Sequence, residues 1–300
     1  MRRLTSLSFL FLLAMPLPWA QAPQPVIRAH VDVVNVLATV RDRRGNYVKD
    51  LTINDFEVYE DGVKQSLSFF NYETGENAQP LTVVLAIDTS GSVKEKLNFE
   101  QKAASEFLAQ TLRKNKDMAA IIQFDSEIIQ VHDFTFDLSM LEKAILQIRA
   151  GGATKLYDAI YLAVVELLVP EVGRKVLVIL SDGADTQSVI SEDEAIRASQ
   201  ENDVIIYAIG VRSRRMDSDF GKLKKFARAT GGHFFTSKAS LTRLRAAFAQ
   251  INREIKNQVG LGYVSSNQKK DGTFRRIQVK VKRGLKVTHR RGYYAPGPSS

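Results

Sequence analysis

Strands and helices alternate through the middle of this chain, and this alternation limits the fold more than any other feature. Leu81–Ile87 and Val176–Leu180 are uninterrupted apolar runs, as expected for strands buried on both faces of a sheet. The other predicted strands are Met118–Phe124, Ile128–Val131, Val204–Ile209 and His233–Thr236, and the predicted helices are Ala103–Leu112, Leu138–Ile148, Leu156–Leu168, Glu192–Gln200, Phe220–Ala229 and Leu241–Asn257. Residues 79–256 are therefore predicted to form an α/β, Rossmann-like domain, a doubly wound, mostly parallel sheet covered by helices.

Segments of β character flank this α/β region at 26–74 and 258–295. In the first, Asp61-Gly62 separates Phe56–Glu60 from Lys64–Phe70, a strong hairpin signal. The predicted strands of the second are Leu261–Val264, Phe274–Lys282 and Leu285–Tyr294. We expect the two segments to form one small β-sandwich into which the α/β domain is inserted, because a few strands alone are marginally stable. Two unrelated β extensions are the alternative.

The first 22 residues have the order of a secretory signal peptide. Arg2 and Arg3 precede the apolar run Leu7–Met15, and the small-residue pattern Ala20-Gln21-Ala22 follows. The apolar run is much shorter than the roughly 20 residues that span a bilayer, so a retained membrane anchor is the less favoured interpretation. No later segment is long and apolar enough to span a membrane. We therefore expect the mature chain to be secreted or periplasmic.

Cysteine content and net charge narrow the function classes. The chain has no cysteine, which excludes disulfides, thiol chemistry, cysteine metal sites and a lipid-modified cysteine. Its net charge is +9, and this excess favours acidic partners, including an anionic envelope surface. Nucleic acid is not an expected partner of an exported protein.

Polar oxygen-bearing residues follow several of the predicted elements. Asp88, Ser90 and Ser92 come after the first buried strand, Asp182 follows Val176–Leu180, and Thr154 precedes a predicted helix. In open α/β sheets, ligands bind at the carboxyl ends of the strands. Two carboxylates and three hydroxyls suit a hard cation, Mg²⁺ first and Mn²⁺ or Ca²⁺ as alternatives, while the lack of nitrogen and sulfur ligands disfavours zinc. Any one of these Asp, Ser or Thr residues, taken alone, could simply cap the helix that follows it.

This combination resembles the metal-ion-dependent adhesion site of von Willebrand factor A domains, over about residues 79–256. The resemblance implies that Ser90 and Ser92 bind the ion directly, that Thr154 joins when a ligand is engaged, and that Asp88 and Asp182 act directly or through water. It also implies a binding module in which an Asp or Glu of a protein partner completes the coordination. The motifs around Asp61-Gly62 and in Arg291-Gly292-Tyr293-Tyr294 resemble a group of exported bacterial proteins built around this domain.

Other polar residues near these motifs have candidate supporting roles. We expect Asp158 to anchor the start of the helix after Thr154, and Asp185 to anchor the loop after Asp182; either could orient the metal ligands. Arg212, Arg214 and Arg215 follow the strand Val204–Ile209 and could steer an acidic partner, although an ordinary solvated loop is the simpler interpretation. Around Arg276, charged residues alternate with apolar ones, which is typical of the solvent-exposed face of a strand. Binding to an anionic surface is the less favoured interpretation of these charges.

Two other function classes compete with a binding module. An aspartyl phosphatase also places an Asp after a buried strand, but its second acidic residue would here be Ser90, which cannot act as acid or base near neutral pH. The four histidines are scattered and none lies near a suitable nucleophile. An enzyme is therefore not expected. A structural envelope protein with a vestigial metal site is the second alternative.

Overall fold

The computed structural model describes residues 33–75, 78–91, 96–212, 220–238 and 240–298. The predicted signal peptide and the candidate residues Ser92, Arg214 and Arg215 lie outside the described residues. Within those ranges, no helix is long and apolar enough to cross a membrane.

The α/β region is built on one central sheet. Its strands are β5 (Leu81–Asp88), β6 (Met118–Phe124), β7 (Ile128–Thr135), β8 (Arg174–Ser181), β9 (Ile205–Arg212) and β10 (Phe234–Lys238). They lie in the order β10-β9-β8-β5-β6-β7, parallel throughout except for the antiparallel pair β6 and β7. The accompanying helices are α1 (Leu97–Thr111), α2 (Leu138–Gln147), α3 (Leu156–Leu162), α4 (Glu192–Glu201), α5 (Gly221–Thr230) and α6 (Leu241–Ile255), and α3 continues into a π-helical segment, Ala163–Leu168.

Helices cover both faces of this sheet. Alternate residues of β5 belong to different cores, with Leu85 packed in one and Ala86 in the other. The first core also contains Phe107 of α1 and Phe248 of α6, whose rings stack 4.7 Å apart, and the second contains Phe226 of α5. Burial on both faces explains why β5 is apolar without alternation. The prediction of a doubly wound, mostly parallel sheet is confirmed.

The chain reverses its direction of progress across the sheet between β5 and β8. From β5 it moves outward to β6 and β7, and it then returns to the other side of β5 to form β8, β9 and β10. Such a switch point leaves a crevice at the carboxyl ends of the two central strands. Asp88 ends β5, and Ser181 ends β8.

The flanking segments form two further sheets. Their strands are β1 (Val33–Arg41), β2 (Phe56–Glu60), β3 (Val63–Gln65), β4 (Leu67–Tyr72), β11 (Gln258–Val264), β12 (Phe274–Val281), β13 (Lys286–His289) and β14 (Gly292–Tyr294). One sheet has the order β13-β1-β11-β4, and the other has the order β14-β12-β2-β3. Each sheet mixes N-terminal and C-terminal strands, and Val36 and Leu261 of the first share one core with Val58 and Val279 of the second. The shared sandwich is therefore confirmed, and two unrelated extensions are excluded.

Two predicted strands are each divided between the two sheets of the sandwich, and the first is Lys64–Phe70, which contributes to β3 and β4. The segment Leu285–Tyr294 forms two strands, because the chain passes from one sheet to the other at Arg290 and Arg291. The Arg290 side chain is buried, and its guanidinium donates to Asp203 and to the carbonyl of Asn35. These tertiary partners fix the crossing point, which the local pattern does not encode.

Candidate metal centre

The carboxylate of Asp88 is oriented by hydrogen bonds on both of its oxygens. Oδ1 accepts a hydrogen bond from the backbone N–H of Ser90 at 2.9 Å, and Oδ2 accepts one from the hydroxyl of Ser181 at 2.6 Å. Ser181 ends the neighbouring strand β8, and Asp182 follows it directly in the chain. The pairing of β5 with β8 thus brings the two acidic strand ends side by side.

Both carboxylates lie in a dry environment. Asp88 is fully buried, and Asp182 is 6% exposed. Burial raises the pKa of Asp88 to about 6, the hydrogen bonds from Ser181 and Ser90 oppose this rise, and the negative charge of Asp182 adds to it. Two carboxylates that repel each other in a buried site are stabilised by a cation that interacts with both.

The loop after β5 is fixed to the loop that precedes Thr154. The backbone N–H of Gly151 donates to the carbonyl of Thr89 at 2.6 Å, and that of Gly91 donates to the carbonyl of Gly152 at 3.2 Å. Gly152 has a φ of 92°, a conformation that residues with a Cβ rarely adopt. These contacts hold the two loops next to each other.

Asp125, which the sequence analysis did not single out, connects the same loops. It follows β6, and its Oδ2 accepts a hydrogen bond from the hydroxyl of Thr89 at 3.0 Å. Its carbonyl accepts from the backbone N–H of Lys155, also at 3.0 Å. The available signal was its position at the carboxyl end of a strand adjacent to β5, where an acidic residue warrants attention.

Thr154 is buried and fixed through its backbone. Its N–H donates to the hydroxyl of Thr186 at 3.1 Å, and its carbonyl accepts from the N–H groups of Thr186 and Gln187 at 2.9 and 3.1 Å. Thr186 and Gln187 belong to the loop after Asp182. The loops that carry the candidate ligands are therefore linked by direct hydrogen bonds.

Asp158 and Asp185 join the start of α3 to the loop after β8. Asp185, in the loop after β8, accepts from the backbone N–H of Leu156 at 2.8 Å and so caps the start of α3. Asp158, in the first turn of α3, accepts from the N–H groups of Val189 and Ile190 at 2.9 and 2.8 Å. Asp185 also accepts from the hydroxyl of Ser188 in its own loop at 2.6 Å, as expected, so the two carboxylates together tie this loop to α3.

The donor chemistry fits a hard divalent cation. Asp88, Ser90, Thr154 and Asp182 all offer oxygen, which Mg²⁺, Mn²⁺ and Ca²⁺ prefer. No group of three His, Cys, Asp or Glu side chains in the described part of the chain is arranged as a metal site. A cation at this edge of the sheet would therefore depend on hydroxyl ligands as well as on the two carboxylates.

Comparison with known families agrees with this geometry. The von Willebrand factor type A domain matches residues 82–251, more than half of the chain. This chain belongs to that family. The matched region contains all five residues of the proposed metal site, Asp88, Ser90, Ser92, Thr154 and Asp182.

Solved structures show the same fold. A von Willebrand factor type A protein from Catenulispora acidiphila is 13% identical with a TM-score of 0.54, and the match covers 90% of this chain and 74% of that one. BatB from Bacteroides thetaiotaomicron is 18% identical with a TM-score of 0.50, covering 59% of this chain and all of that one. Proximal thread matrix protein 1 from the mussel byssus, with a zinc-occupied adhesion-site motif, is 16% identical with a TM-score of 0.54, covering 65% and 49%. No curated protein sequence gave a significant match.

Glu100 and Lys96 are buried charged residues whose electrostatic interactions link them to the candidate site. Glu100, in the first turn of α1, is 1% exposed, and its Oε2 has no hydrogen-bond partner among the described residues. Burial raises its pKa to about 8, and the negative charges of Asp88 and Asp182 contribute. The positive charge of Lys96 opposes this rise. The hydrophobic periodicity of the sequence did not indicate Glu100, because this residue occupies an inward-facing helix position that is normally apolar.

Of the three arginines expected to steer a partner, Arg212 is placed by the structure. It is the last residue of β9 and is exposed, unlike the rest of that strand. β9 is parallel to β8, so the carboxyl end that carries Arg212 lies at the same edge of the sheet as Asp182. Steering by Arg212 stays a prediction.

Proposed function

We propose that this chain is an exported, non-enzymatic binding protein whose von Willebrand factor type A domain holds a divalent cation and uses it to capture a carboxylate of a protein partner. The cation would be held by Asp88, Ser90, Ser92, Thr154 and Asp182. When bound, it supplies a positive position that an Asp or Glu side chain of the partner can occupy. Mg²⁺ is the first expectation, with Mn²⁺ and Ca²⁺ as alternatives.

The arrangement of Asp88 carries this proposal. Its two oxygens are oriented by Ser90 and Ser181, and Asp182 lies close enough for its charge to raise the pKa of Asp88. The loops around this pair are tied together by direct hydrogen bonds within the protein. Preorganised ligands of this kind lower the cost of binding.

The same hydrogen bonds favour a binding site over an aspartyl phosphatase. A nucleophilic carboxylate needs an oxygen that can reach a substrate, whereas both oxygens of Asp88 accept hydrogen bonds from the protein and the residue has no exposed surface. The residue two positions on is Ser90, which has no acid or base function near neutral pH. These features support a non-catalytic role.

The choice of ion needs a direct measurement. Zinc usually has nitrogen or sulfur ligands, yet the mussel byssus protein was solved with zinc in its adhesion-site motif. We therefore include Zn²⁺ with Mg²⁺, Mn²⁺ and Ca²⁺. Binding of Mn²⁺ to the metal-stripped, full-length chain can be followed by the loss of the free-ion signal in electron paramagnetic resonance, and the other ions by competition.

A variant and a matched control make this measurement specific. Asp182→Ala should abolish Mn²⁺ binding, whereas Glu142→Ala removes the same charge from an exposed position on α2 and should leave it intact. Equal loss in both variants would identify a general charge effect. Saturable binding that Asp182→Ala leaves unchanged would contradict the proposed site.

Partner capture tests the second half of the proposal. Wild-type and Asp182→Ala protein are immobilised and exposed to an envelope extract of the parent organism, with Mg²⁺ or with EDTA. We expect a protein retained by the wild type in Mg²⁺ and released by EDTA. Retention that is unaffected by both EDTA and the substitution would overturn metal-dependent capture.

Mass spectrometry of protein from the native host checks export, since the mature chain should begin near Gln21 or Pro23.

A further inference from the structure

A groove separates α5 of the von Willebrand factor type A domain from the C-terminal strands of the sandwich. Two cavities form it, of about 780 and 490 Å³. They share Lys224, Arg228, His289 and Arg291, so they form one elongated depression, which we call the α5–β12 groove. None of the candidate metal ligands lines it.

The rim of the α5–β12 groove carries a concentration of positive charge. Lys224 and Arg228 come from α5, Arg276 from β12, and Arg291 from the residue before β14, and all four are exposed. Within the described residues, none of the three arginines forms an ion pair. Like charges that face one groove repel each other, and an anionic ligand relieves that repulsion.

The acidic residue that lines the groove, Asp193, is already in an ion pair with Lys225. Lys225 pairs with Glu192 at 2.5 Å and with Asp193 at 2.9 Å. Lys224, by contrast, lies 5.5 Å from the centre of the Phe234 ring. Lys225 is thus engaged, whereas Lys224 and the three arginines do not pair with these two carboxylates.

The floor of the groove is apolar. Ile277 and Ile196 are almost fully buried beneath it, and Ala229 lies beside them. Phe274 is 40% exposed and stands at 63° to the ring of Tyr294, 5.1 Å away. A ligand seated here would therefore meet positive charges at the rim and an aromatic ring and aliphatic surface below.

We propose that the α5–β12 groove binds an acidic peptide segment. Its Asp or Glu carboxylates pair with Arg228, Arg276 and Arg291, and an apolar side chain packs on Phe274. The apolar floor favours a peptide over a sulfated glycan, which has no comparable apolar groups, and the concave shape does not fit a flat bilayer surface. Each of the two cavities is within the size range of sites that enclose small ligands.

The test uses the full-length chain in EDTA, so that it does not depend on the metal centre or on the proposed function. The probe is a fluorescein-labelled peptide that alternates Glu with Leu and Phe, and fluorescence anisotropy reports binding. One comparison peptide carries Gln in place of Glu, and another carries Ser in place of Leu and Phe. We expect the first peptide to bind best and its affinity to fall as salt is added, because exposed charge pairs are screened.

Charge-reversal variants locate the binding. Arg228→Glu and Arg291→Glu should each weaken binding by roughly twofold to fivefold, as expected for exposed charge pairs. Arg243→Glu, on the exposed face of α6, makes the same change outside the groove and should bind as the wild type does. Equal loss in all three variants, or no binding of the acidic peptide, would overturn the proposal. The proposal would also be overturned if the groove bound a sulfated oligosaccharide or anionic vesicles but did not bind the peptide.

Discussion

Glu60 of the N-terminal hairpin accepts a hydrogen bond of 2.9 Å from the hydroxyl of Tyr263 in β11, although 203 residues separate them. Its carboxylate also accepts from the Ser265 and Tyr293 hydroxyls and lies 3.4 Å from the guanidinium of Arg275. Burial and the charge of Glu60 raise the pKa of Tyr263 well above its usual range, which keeps it a donor. One buried carboxylate thus holds the N-terminal and C-terminal parts of the sandwich together.

Removing this carboxylate should be costly. Glu60 is 2% exposed and Arg275 is equally buried, so Glu60→Ala leaves a buried positive charge without its partner. Such losses cost about 3–5 kcal/mol, which urea denaturation would measure. The matched control is Glu57→Ala on the same strand, whose more exposed pair with Lys64 should contribute much less to stability. Similar costs for both changes would contradict the role of Glu60.

The shared sandwich also predicts how fragments behave. A fragment that covers 26–72 lacks β11, which lies between β1 and β4, and β12, which pairs with β2. Its apolar faces would be exposed to water, so we expect it to be unfolded, with poor dispersion in its NMR spectrum. Adding the segment 258–298 on a separate chain is the control. A well-dispersed spectrum from 26–72 alone would refute the shared sandwich.

The parts of the fold that were predictable are those with a strong local pattern. Leu81–Ile87 is apolar throughout because β5 is buried on both faces, and Asp61-Gly62 marks a hairpin because both residues have positive φ. The split of Leu285–Tyr294 was not predictable, since the partners of Arg290 come from distant segments. Local patterns record which side of an element is buried, and not what lies against it.

In the candidate site, too, the predictable features are those with a local sequence pattern, and the others depend on tertiary contacts. Asp88 and Asp182 could be identified because each follows a recognisable strand. Asp125 follows a recognisable strand as well, but its linking role could not be predicted, because its bonds to Thr89 and Lys155 depend on how three loops meet. The bonds of Asp158 to the loop after β8, and of Asp185 to the start of α3, were missed for the same reason. A short polar side chain at a loop can cap several backbone groups, and only packing decides which.

His289 should make stability depend on pH. Its Nε2 accepts a hydrogen bond from the backbone N–H of Val279 at 3.2 Å, and its Nδ1 donates to the carbonyl of Arg290 at 2.6 Å, an arrangement that requires the neutral ring. Burial lowers the pKa of His289, and the positive charge of Arg290 contributes. The unfolded chain therefore binds more protons at this residue below about pH 6.5, so its contribution to stability is complete above that pH and falls as the pH drops.

Comparing variants isolates this effect from other titrating groups. His289→Ala leaves the Val279 N–H without an acceptor and should cost about 1–3 kcal/mol near pH 7.5. The cost should shrink near pH 5, because the wild type loses part of the same contribution there. His132→Ala on β7, whose ring contacts the carbonyl of Asp133, serves as the control. Urea denaturation at both pH values measures the loss of stability caused by His289→Ala. A larger loss at pH 5 than at pH 7.5 would contradict the expected direction of the pH dependence.

Divalent cations should stabilise the folded chain through Asp182. A ligand that binds only the native state adds about 2.7 kcal/mol at a hundredfold excess over Kd, so melting of the EDTA-stripped protein should shift upward with Mg²⁺ or Mn²⁺. Asp182→Ala should abolish the shift. Without metal, the same variant should be at least as stable as the wild type, because the charge of Asp182 disfavours ionised Asp88. A wild-type protein that melts identically with and without millimolar ion would support a vestigial site.

Thr154 should affect partner capture more than metal binding. Its backbone is fixed by Thr186 and Gln187, so Thr154→Ala keeps the loop in place and removes only the hydroxyl and a methyl group. If the hydroxyl engages the ion mainly when a partner is bound, capture in Mg²⁺ should fall at least roughly tenfold, the lower end of what ligand-shell changes cost. The Mn²⁺ dissociation constant should change much less. Thr154→Ser retains the hydroxyl and should restore capture. Equal losses of capture and Mn²⁺ affinity in Thr154→Ala would show that Thr154 is a permanent ligand, and failure of Thr154→Ser would point to packing of the methyl group instead.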